Sequence, residues 1–402
     1  MRHHGHWVQH LIGMAGQVTA ALPQVLVTLF LARRVSLESA GHFTVVAGLA
    51  AAAFTVAAWG FVPHMVLERF RRFPAATYLA ARAIALLLIA GFTLAVGFTL
   101  FPETGRTLLL AVIALRAADA IIELHFGFAQ VWFGAQHAIQ MHAVLHAGKL
   151  LLLATPLLFA MRRPAATAEL AILTGSIAAL AGAALALIVR RRIWARSSDS
   201  PESVAALFSQ ASWFGIAAIL CGVVTNLPRM SLPLAYDGAA LGVAGISLTI
   251  ATFFGMALYT AWVRHFPQLA VGRDPARAAI FLREYAIVSG LCAAAAVLPL
   301  PPLAAWLFDF DLRQFGGEMR GLLLAAVVFF AGMGLANLYK LGRRLWRESL
   351  VYLAATLLAA GLGAAVLPGN GLALPLLSVG VLMALLSVPA MRTALDPNAA
   401  HD

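Results

Sequence analysis

The stretch ALRAADAIIELHF, residues 114–126, places three ionisable side chains, Arg116, Asp119 and Glu123, inside an apolar run. The run extends from 107 to 132, which exceeds the roughly 20 apolar residues that a helix needs to cross the hydrocarbon core of a bilayer. A charged side chain near the centre of such a helix costs about 2.5–3.5 kcal/mol. We therefore predict a membrane-spanning helix whose ionisable face is turned away from lipid.

Composition indicates that the whole chain is a membrane protein. Its 402 residues are 62% hydrophobic and 11% charged, whereas soluble domains carry about 25% charged residues. The net charge of +11 comes from basic residues in short runs between apolar blocks. That placement favours the cytoplasmic surface of a bilayer and disfavours a nucleic-acid partner.

Apolar blocks of membrane-spanning length occur about twelve times, which predicts an all-α integral membrane protein. The blocks lie near 11–32, 43–66, 78–100, 107–132, 143–160, 167–189, 207–233, 239–263, 282–300, 319–338, 349–367 and 372–391. With the N-terminus inside, sixteen Lys and Arg residues fall in cytoplasmic segments and seven on the opposite side. By the positive-inside rule, both termini should face the cytoplasm.

The chain also repeats itself at a constant offset of 201 residues. The matches are Gly41 with Gly242, Val62 with Val263, His64 with His265, Arg72 with Arg273, Pro74 with Pro275, Ala75 with Ala276, and Arg82 with Arg283. Parallel repeats of this kind predict two six-helix lobes related by an axis along the membrane normal. We place the lobes at 1–192 and 204–402, with a charged, Ser-containing cytoplasmic linker at 193–203 between them.

Two glycines open apolar helices in matching places of the two halves. In FLARRVSLESAGHFTVVAGLAAA, residues 30–52, an apolar helix and a basic turn precede a Gly–x–aromatic motif at Gly41 and Phe43. In TNLPRMSLPLAYDGAALGVAGIS, residues 225–247, a polar residue late in one helix precedes Gly242 at the start of the next.

These motifs resemble the polysaccharide/oligosaccharide flippase family (Wzx-like) of the multidrug/oligosaccharidyl-lipid/polysaccharide exporter superfamily. Arg229 takes the place of the family's late polar residue in helix seven. Residues 126–152 are similar to the family's connection between helices four and five, and residues 303–324 to its loop before helix ten. The chain departs from the pattern at Ala244, where an aromatic residue is usual, and this leaves the substrate subgroup open.

The resemblance implies two lobes around a central cavity that opens alternately to each side of a bacterial inner membrane. It implies a transporter, not an enzyme, that flips a polyprenyl-diphosphate-linked oligosaccharide from the cytoplasmic to the outer leaflet. Such a molecule is the repeat unit of a lipopolysaccharide or an exopolysaccharide. Membrane lipids, a polysaccharide polymerase and glycosyltransferases are the expected partners, and no cofactor is expected.

The ionisable residues of the opening stretch are the first candidates for the site. Arg116 is predicted to attract the diphosphate, because guanidinium matches phosphate oxygens in a fork geometry. Asp119 and Glu123, one helical turn apart, resist joint ionisation, so one of them is predicted to hold a coupling proton. The alternative is an internal Arg116–Asp119 pair that only orients the helix. Further candidates to line the cavity are Arg229, Gln24 and Asn226.

Four residues give weaker signals. Arg229 could equally be an arginine at the level of the lipid headgroups, and Lys149 is expected to extend along its helix to the membrane surface. His142 and His146 have the i, i+4 spacing of metal ligands, but no carboxylate or cysteine accompanies them. Since their segment is expected at the cytoplasmic surface, no metal site is predicted.

Two rival functions stay open. An ion-coupled multidrug or small-cation antiporter of the same fold should have an acidic, aromatic-lined cavity, so Arg116 argues against it while Asp119 and Glu123 argue for it. A membrane glycosyltransferase or polysaccharide polymerase would need a metal-binding carboxylate pair. The DFD sequence at 309–311 has that form, but it is a lone motif without a large catalytic loop.

Overall fold

The computed structural model describes residues 2–68, 72–100, 105–163, 167–189, 203–272, 275–340 and 345–395, and all regular structure in these ranges is helical. The helices are α1 (Arg2–Arg34), α2 (Leu37–Ala58), α3 (Phe61–Glu68), α4 (Ala75–Leu100), α5 (Arg106–Phe133), α6 (Ala135–Ala160), α7 (Ala168–Val189), α8 (Val204–Gln210), α9 (Ser212–Met230), α10 (Leu232–Ala235), α11 (Gly238–Gly272), α12 (Pro275–Val297), α13 (Leu300–Phe308), α14 (Leu312–Ala336), α15 (Leu345–Asn370), α16 (Ala373–Leu386) and α17 (Val388–Leu395). A short 3-10 helix, Asn337–Lys340, follows α14.

These helices occupy the twelve positions predicted from hydropathy, so the prediction of an all-α membrane protein is confirmed. Among the described residues, eight helical segments are long and apolar enough to cross a membrane, and Ser349–Ala359 and Ala373–Leu386 are shorter apolar helices. The two remaining positions are those of α1 and α5. The predicted linker at 193–203 lies outside the described residues except for Ser203.

Some predicted helix starts were late because the helix begins with polar residues. The helix α6 was predicted to begin at 143, but it begins at Ala135. The predicted start was late because the first turns of α6 contain Gln136, His137 and Gln140. Hydropathy detects the part of a helix that resembles lipid and is blind to polar turns at its ends.

The DFD sequence supplies a turn between two helices. Asp309 ends α13 in the left-handed conformation, at φ 61°, which Asp tolerates better than most residues. Asp311 caps α14, since its side chain accepts a hydrogen bond from the backbone N–H of Arg313 at 2.8 Å. Helix termini favour these roles for aspartate, so the Asp309 backbone and the Asp311 carboxylate both have structural roles.

The chain divides into two compact units. Unit 1 comprises Met1–Val35 and Val46–Gly222, and unit 2 comprises Ser36–Val45 and Val223–Asp402. This division assigns the beginning of α2 to unit 2 and the first half of α9 to unit 1. The six-helix lobes defined along the sequence stay a prediction.

In unit 1, α5 is the central element, because it packs against α7, α6, α3 and α4. Aromatic side chains at the junction of α3, α4 and α5 form a core that includes Phe61, Phe73, Tyr78 and Phe128, each fully buried. Phe61 and Tyr78 meet edge to face, with ring centroids 6.5 Å apart. This core fixes α5, and with it the ionisable face of the helix.

In unit 2, α14 is central and packs against α16, α11 and α12. The glycines of the repeat lie where α2 and α11 cross at their first turns. A Cβ atom on Gly41 would come within 2.7–2.8 Å of Leu241, and one on Gly242 would overlap the backbone of Leu37. Glycine at both positions therefore permits the close approach of the two backbones.

The repeat is preserved in some side-chain environments and lost in others. His64 and His265 are both 8% exposed. His64 Nδ1 lies 2.9 Å from the Tyr78 hydroxyl, and His265 Nε2 lies 2.7 Å from a carboxylate oxygen of Glu284. Arg82, in contrast, is 2% exposed, whereas its counterpart at position 283 is on the surface.

We expect Gly242→Leu to destabilise the protein by about 1–3 kcal/mol, because overpacking forces the backbones of α2 and α11 apart. The measurement is thermal unfolding of the purified protein in detergent. Gly290→Ala is the control, because Gly290 lies in α12 with open space around it, and alanine is a better helix former. Equal melting temperatures for Gly242→Leu and the wild type would contradict the close crossing.

Candidate functional site

The candidate site lies on α5 in unit 1, where Arg116 faces α1 and α2. Its Nη2 atom donates to Gln24 Oε1 at 3.3 Å and to the carbonyl oxygen of Ala47 at 3.4 Å, and Nη1 lies 3.7 Å from Asp119 Oδ2. Protein N–H···O bonds are most often 2.9–3.0 Å long, so all three contacts are long. The side chain of Arg116 is 24% exposed. The guanidinium is thus loosely held and partly open.

Asp119 is the centre of the charge cluster. Its Oδ1 atom accepts a hydrogen bond from Lys149 Nζ of α6, and the Lys149 side chain is only 1% exposed. The expectation that Lys149 extends to the membrane surface is therefore wrong, because the lysine finds a carboxylate on the neighbouring helix. A buried charge is tolerated when it is paired in this way.

The two histidines of α6 lie against the same cluster. His146 is 4% exposed, and its Nδ1 atom is 3.9 Å from Asp119 Oδ1. The Nε2 atoms of His146 and His142 are 3.2 Å apart. Their predicted position at the cytoplasmic surface is thus wrong for His146, which is packed inside unit 1. Among the described residues there is no group of three or more side chains that could hold a metal ion.

Glu123 belongs to a second ion pair, one turn along α5. It pairs with Arg82 Nη2 of α4. Arg82 also donates to the carbonyl oxygen of Ala57 on α2 at 2.7 Å and to that of Ala120 on α5 at 3.1 Å. Arg82 is 2% exposed. Through these contacts its side chain links α4 to α2 and α5 inside unit 1.

The geometry around Asp119 and Glu123 differs from the one that suggested a shared proton. Each carboxylate has a cation of its own, from α6 in one case and from α4 in the other. The two residues are therefore not a pair of carboxylates that compete for one proton. A coupling proton on either residue stays a prediction.

Arg229 and Asn226, the candidates of α9, lie together in unit 2. Arg229 is 8% exposed and donates to Asn226 Oδ1 at 3.1 Å, to Thr252 Oγ1 at 2.9 Å and to the carbonyl oxygen of Leu248 at 3.3 Å. It lines a small cavity of about 20 Å³ with apolar neighbours that include Phe330. The structure thus brings Arg116, Asp119 and Gln24 together in unit 1, and Arg229 and Asn226 in unit 2.

Sequence reasoning did not assign Arg82 to the site, and it placed Lys149 and His146 at the membrane surface. The signal that identified Arg116 was available for Arg82 and Lys149 as well, since each is a cation inside an apolar helix and too costly to leave in lipid. Lys149 was predicted at the surface because a long side chain can extend along its helix. Which neighbouring helix supplies the carboxylate depends on tertiary packing.

The chain is a multi-pass helical membrane protein with apolar helices long enough to cross a bilayer, and paired ionisable side chains lie inside its unit 1. No protein-family model matches the sequence, and no curated protein matches it either. Solved structures do match. One described as the MATE multidrug transporter DinF-BH, in complex with a ligand, superimposes with a TM-score of 0.70, at 16% identity, over 98% of this chain and 96% of that one.

Two further matches extend the comparison. An inward-facing multidrug resistance MATE family transporter of the MOP superfamily has a TM-score of 0.62 at 13% identity, over 96% of this chain and 93% of that one. A MOP superfamily transporter from Pyrococcus furiosus, described as having a binding pocket of reverse polarity that suggests a different function, has a TM-score of 0.55 at 13% identity, over 96% and 94%.

These likenesses show that the chain has the fold of the MATE transporters of the MOP superfamily. At 13–16% identity they show the fold alone. The superfamily indicated by the sequence motifs is thus the one whose fold is found, and these solved structures are described as transporters. Membership of the flippase subfamily is a finer assignment than a likeness of fold can make.

We expect Arg82→Met to destabilise unit 1 by about 1–3 kcal/mol, because the buried carbonyl oxygens of Ala57 and Ala120 lose their donor. Thermal unfolding in detergent measures the loss. The control is Arg283→Met, at the matching position of the repeat, where the side chain is exposed and substitution should change stability by about 0.5 kcal/mol or less. If both variants unfolded at the same temperature, Arg82 would not link the helices.

Proposed function

We propose that the protein is a transporter that flips a polyprenyl-diphosphate-linked oligosaccharide from the cytoplasmic to the outer leaflet by alternating access. The observation that carries the proposal is the loosely held, partly exposed guanidinium of Arg116 within α5. A guanidinium presents several N–H donors in a plane, which matches the oxygens of a diphosphate. A charge in this position is functional by default in a membrane protein.

The balance of charge in unit 1 also favours an anionic substrate. The network on α4, α5 and α6 contains three cations, Arg82, Arg116 and Lys149, and two carboxylates, Asp119 and Glu123. Two of the cations are nearly inaccessible and neutralise a carboxylate each. Arg116 is thus the cation whose charge is available to a ligand.

Gln24 adds a second donor beside Arg116. Its Oε1 atom accepts from Arg116, while its Nε2 atom is buried and has no hydrogen-bond partner among the described residues. An unsatisfied buried donor costs about 1–3 kcal/mol. A phosphate or sugar oxygen that reached this N–H after a shift of the Gln24 side chain would remove the cost, so Gln24 and Arg116 suit an oxygen-rich ligand.

The setting follows from the substrate. A lipid-linked repeat unit is assembled on the cytoplasmic face of a bacterial inner membrane, so we place the protein there, with both termini in the cytoplasm. Glycosyltransferases that build the repeat unit and a polymerase that consumes it are the proposed partners, together with membrane lipids. Arg229 and Asn226 of unit 2 are proposed as further contacts for the substrate's anionic or sugar groups.

The second candidate is an ion-coupled multidrug antiporter. It is favoured by the likeness to solved multidrug transporters at a TM-score of up to 0.70 and by the partly exposed carboxylate of Asp119, which could attract a cation. The Pyrococcus furiosus transporter, whose pocket polarity is described as reversed, suggests that this fold can serve ligands of more than one charge. The cationic group at Arg116 leads us to prefer the anionic substrate.

Deleting the gene from its host separates the two candidates. We expect lipid-linked repeat units to accumulate on the cytoplasmic leaflet and the surface glycan to be lost, because no carrier remains to move them. The measurement is mass spectrometry of extracted lipid-linked oligosaccharides together with surface glycan staining. Unchanged glycan with altered drug tolerance would contradict the flippase and support the antiporter.

Arg116→Met should fail to restore the glycan in the deletion strain although the protein inserts at wild-type levels, because the diphosphate loses its cationic partner. Arg106→Met is the matched control, since Arg106 is an exposed arginine at the start of the same helix and should complement fully. Full complementation by Arg116→Met would remove Arg116 from the mechanism.

A further inference from the structure

The two oxygens of the Asp119 carboxylate have different partners. Oδ1 is hydrogen-bonded to Lys149 and lies 3.9 Å from His146 Nδ1. Oδ2 lies 3.7 Å from Arg116 Nη1, which is too far for a direct hydrogen bond. Lys149 therefore fixes the position of the carboxylate, while Arg116 interacts with it only through the electrostatic attraction of opposite charges.

Exposure divides the same cluster into an inner and an outer part. The Lys149 side chain is 1% exposed, whereas those of Asp119 and Arg116 are 29% and 24% exposed. The Arg116–Asp119 face is thus the outer, partly exposed part of the cluster, and the Lys149 side chain is its inner part. An anion that approaches Arg116 consequently also approaches the negative charge of Asp119.

An exchange of partners at Arg116 would leave no buried charge without a counter-ion. If a phosphate oxygen took the place of Asp119 Oδ2 beside Arg116, the carboxylate would keep Lys149 as its cation. The other contacts of Arg116, with Gln24 and Ala47, are long and uncharged, so they offer little resistance to a small shift of the guanidinium. The main obstacle to such an exchange is a buried charge that is left unpaired. Lys149 removes this obstacle because it remains the counter-ion of Asp119.

We infer that Asp119 is an internal counter-anion that competes with the substrate's diphosphate for Arg116, and that Lys149 holds Asp119 in place while the diphosphate is bound. This inference rests on the proposed function, because it takes the ligand to be an anion. Asp119 is a positioning residue that lowers the affinity of Arg116 for the diphosphate. The lower affinity favours release of the substrate, which transport requires as much as binding.

The test measures binding of farnesyl diphosphate to the full chain, purified in detergent, by titration calorimetry. Farnesol, which has the same chain without the diphosphate, is the ligand control. The test variant combines Asp119→Asn with Lys149→Met, so that no unpaired buried lysine remains and the net charge is unchanged. We expect it to bind farnesyl diphosphate about tenfold more tightly than the wild type, a change within the usual range of coupling between sites, and farnesol equally.

Two further variants test whether the carboxylate charge is the cause. Asp119→Glu keeps the charge and should bind within about twofold of the wild type. Glu284→Gln removes a carboxylate that pairs with His265 in unit 2, and it too should bind within about twofold, because that charge is not beside Arg116. If Asp119 had only a structural role, replacing it would not raise the affinity for farnesyl diphosphate while leaving the affinity for farnesol unchanged.

The outcomes distinguish the inference from the function on which it rests. Equal or weaker binding of farnesyl diphosphate by the double variant, together with loss of binding in Arg116→Met, would overturn the competition by Asp119 and leave the anionic substrate standing. Failure of the wild type and every variant to bind farnesyl diphosphate would overturn both. Tighter binding of farnesyl diphosphate by the double variant, with unchanged binding of farnesol, would support the inference.

Discussion

The pairing of charges inside apolar helices is the constraint on which the arrangement of unit 1 depends. Helix α5 carries Arg116, Asp119 and Glu123 where lipid would make each of them costly. Neighbouring helices meet this constraint, since α6 supplies Lys149 and α4 supplies Arg82. The packing of α5 against its neighbours is therefore coupled to its charges, and a helix that could not pack in this way would not be stable in a bilayer.

The all-helical fold was predictable from the sequence because hydropathy is a property of local stretches. The ionisable face of α5 was also predictable, as was the contact between Arg116 and Asp119, which are three residues apart on one helix. The partners of the two carboxylates were not predictable. Lys149 is 30 residues from Asp119 and Arg82 is 41 residues from Glu123, and such pairings are decided by how helices pack.

The internal repeat is retained more in the backbone than in the chemistry. Gly41 and Gly242 allow the same close helix crossing, and the matching histidines are buried alike. The arginines at positions 82 and 283 match in sequence but only the first is buried. Likeness of fold at 13–16% identity likewise leaves the substrate to be argued from individual side chains.

The central claim is that the outer face of the α5 cluster meets water and not acyl chains. Thiol labelling of intact cells tests it most directly, with Arg116→Cys placed in a chain whose Cys221 and Cys292 are replaced by alanine. Leu87→Cys is the reference, since Leu87 is a 76% exposed apolar residue of α4. We predict that a charged, membrane-impermeant thiol reagent modifies the cysteine at position 116 and not the one at position 87. Modification of neither position, or of both at the same rate, would contradict the account.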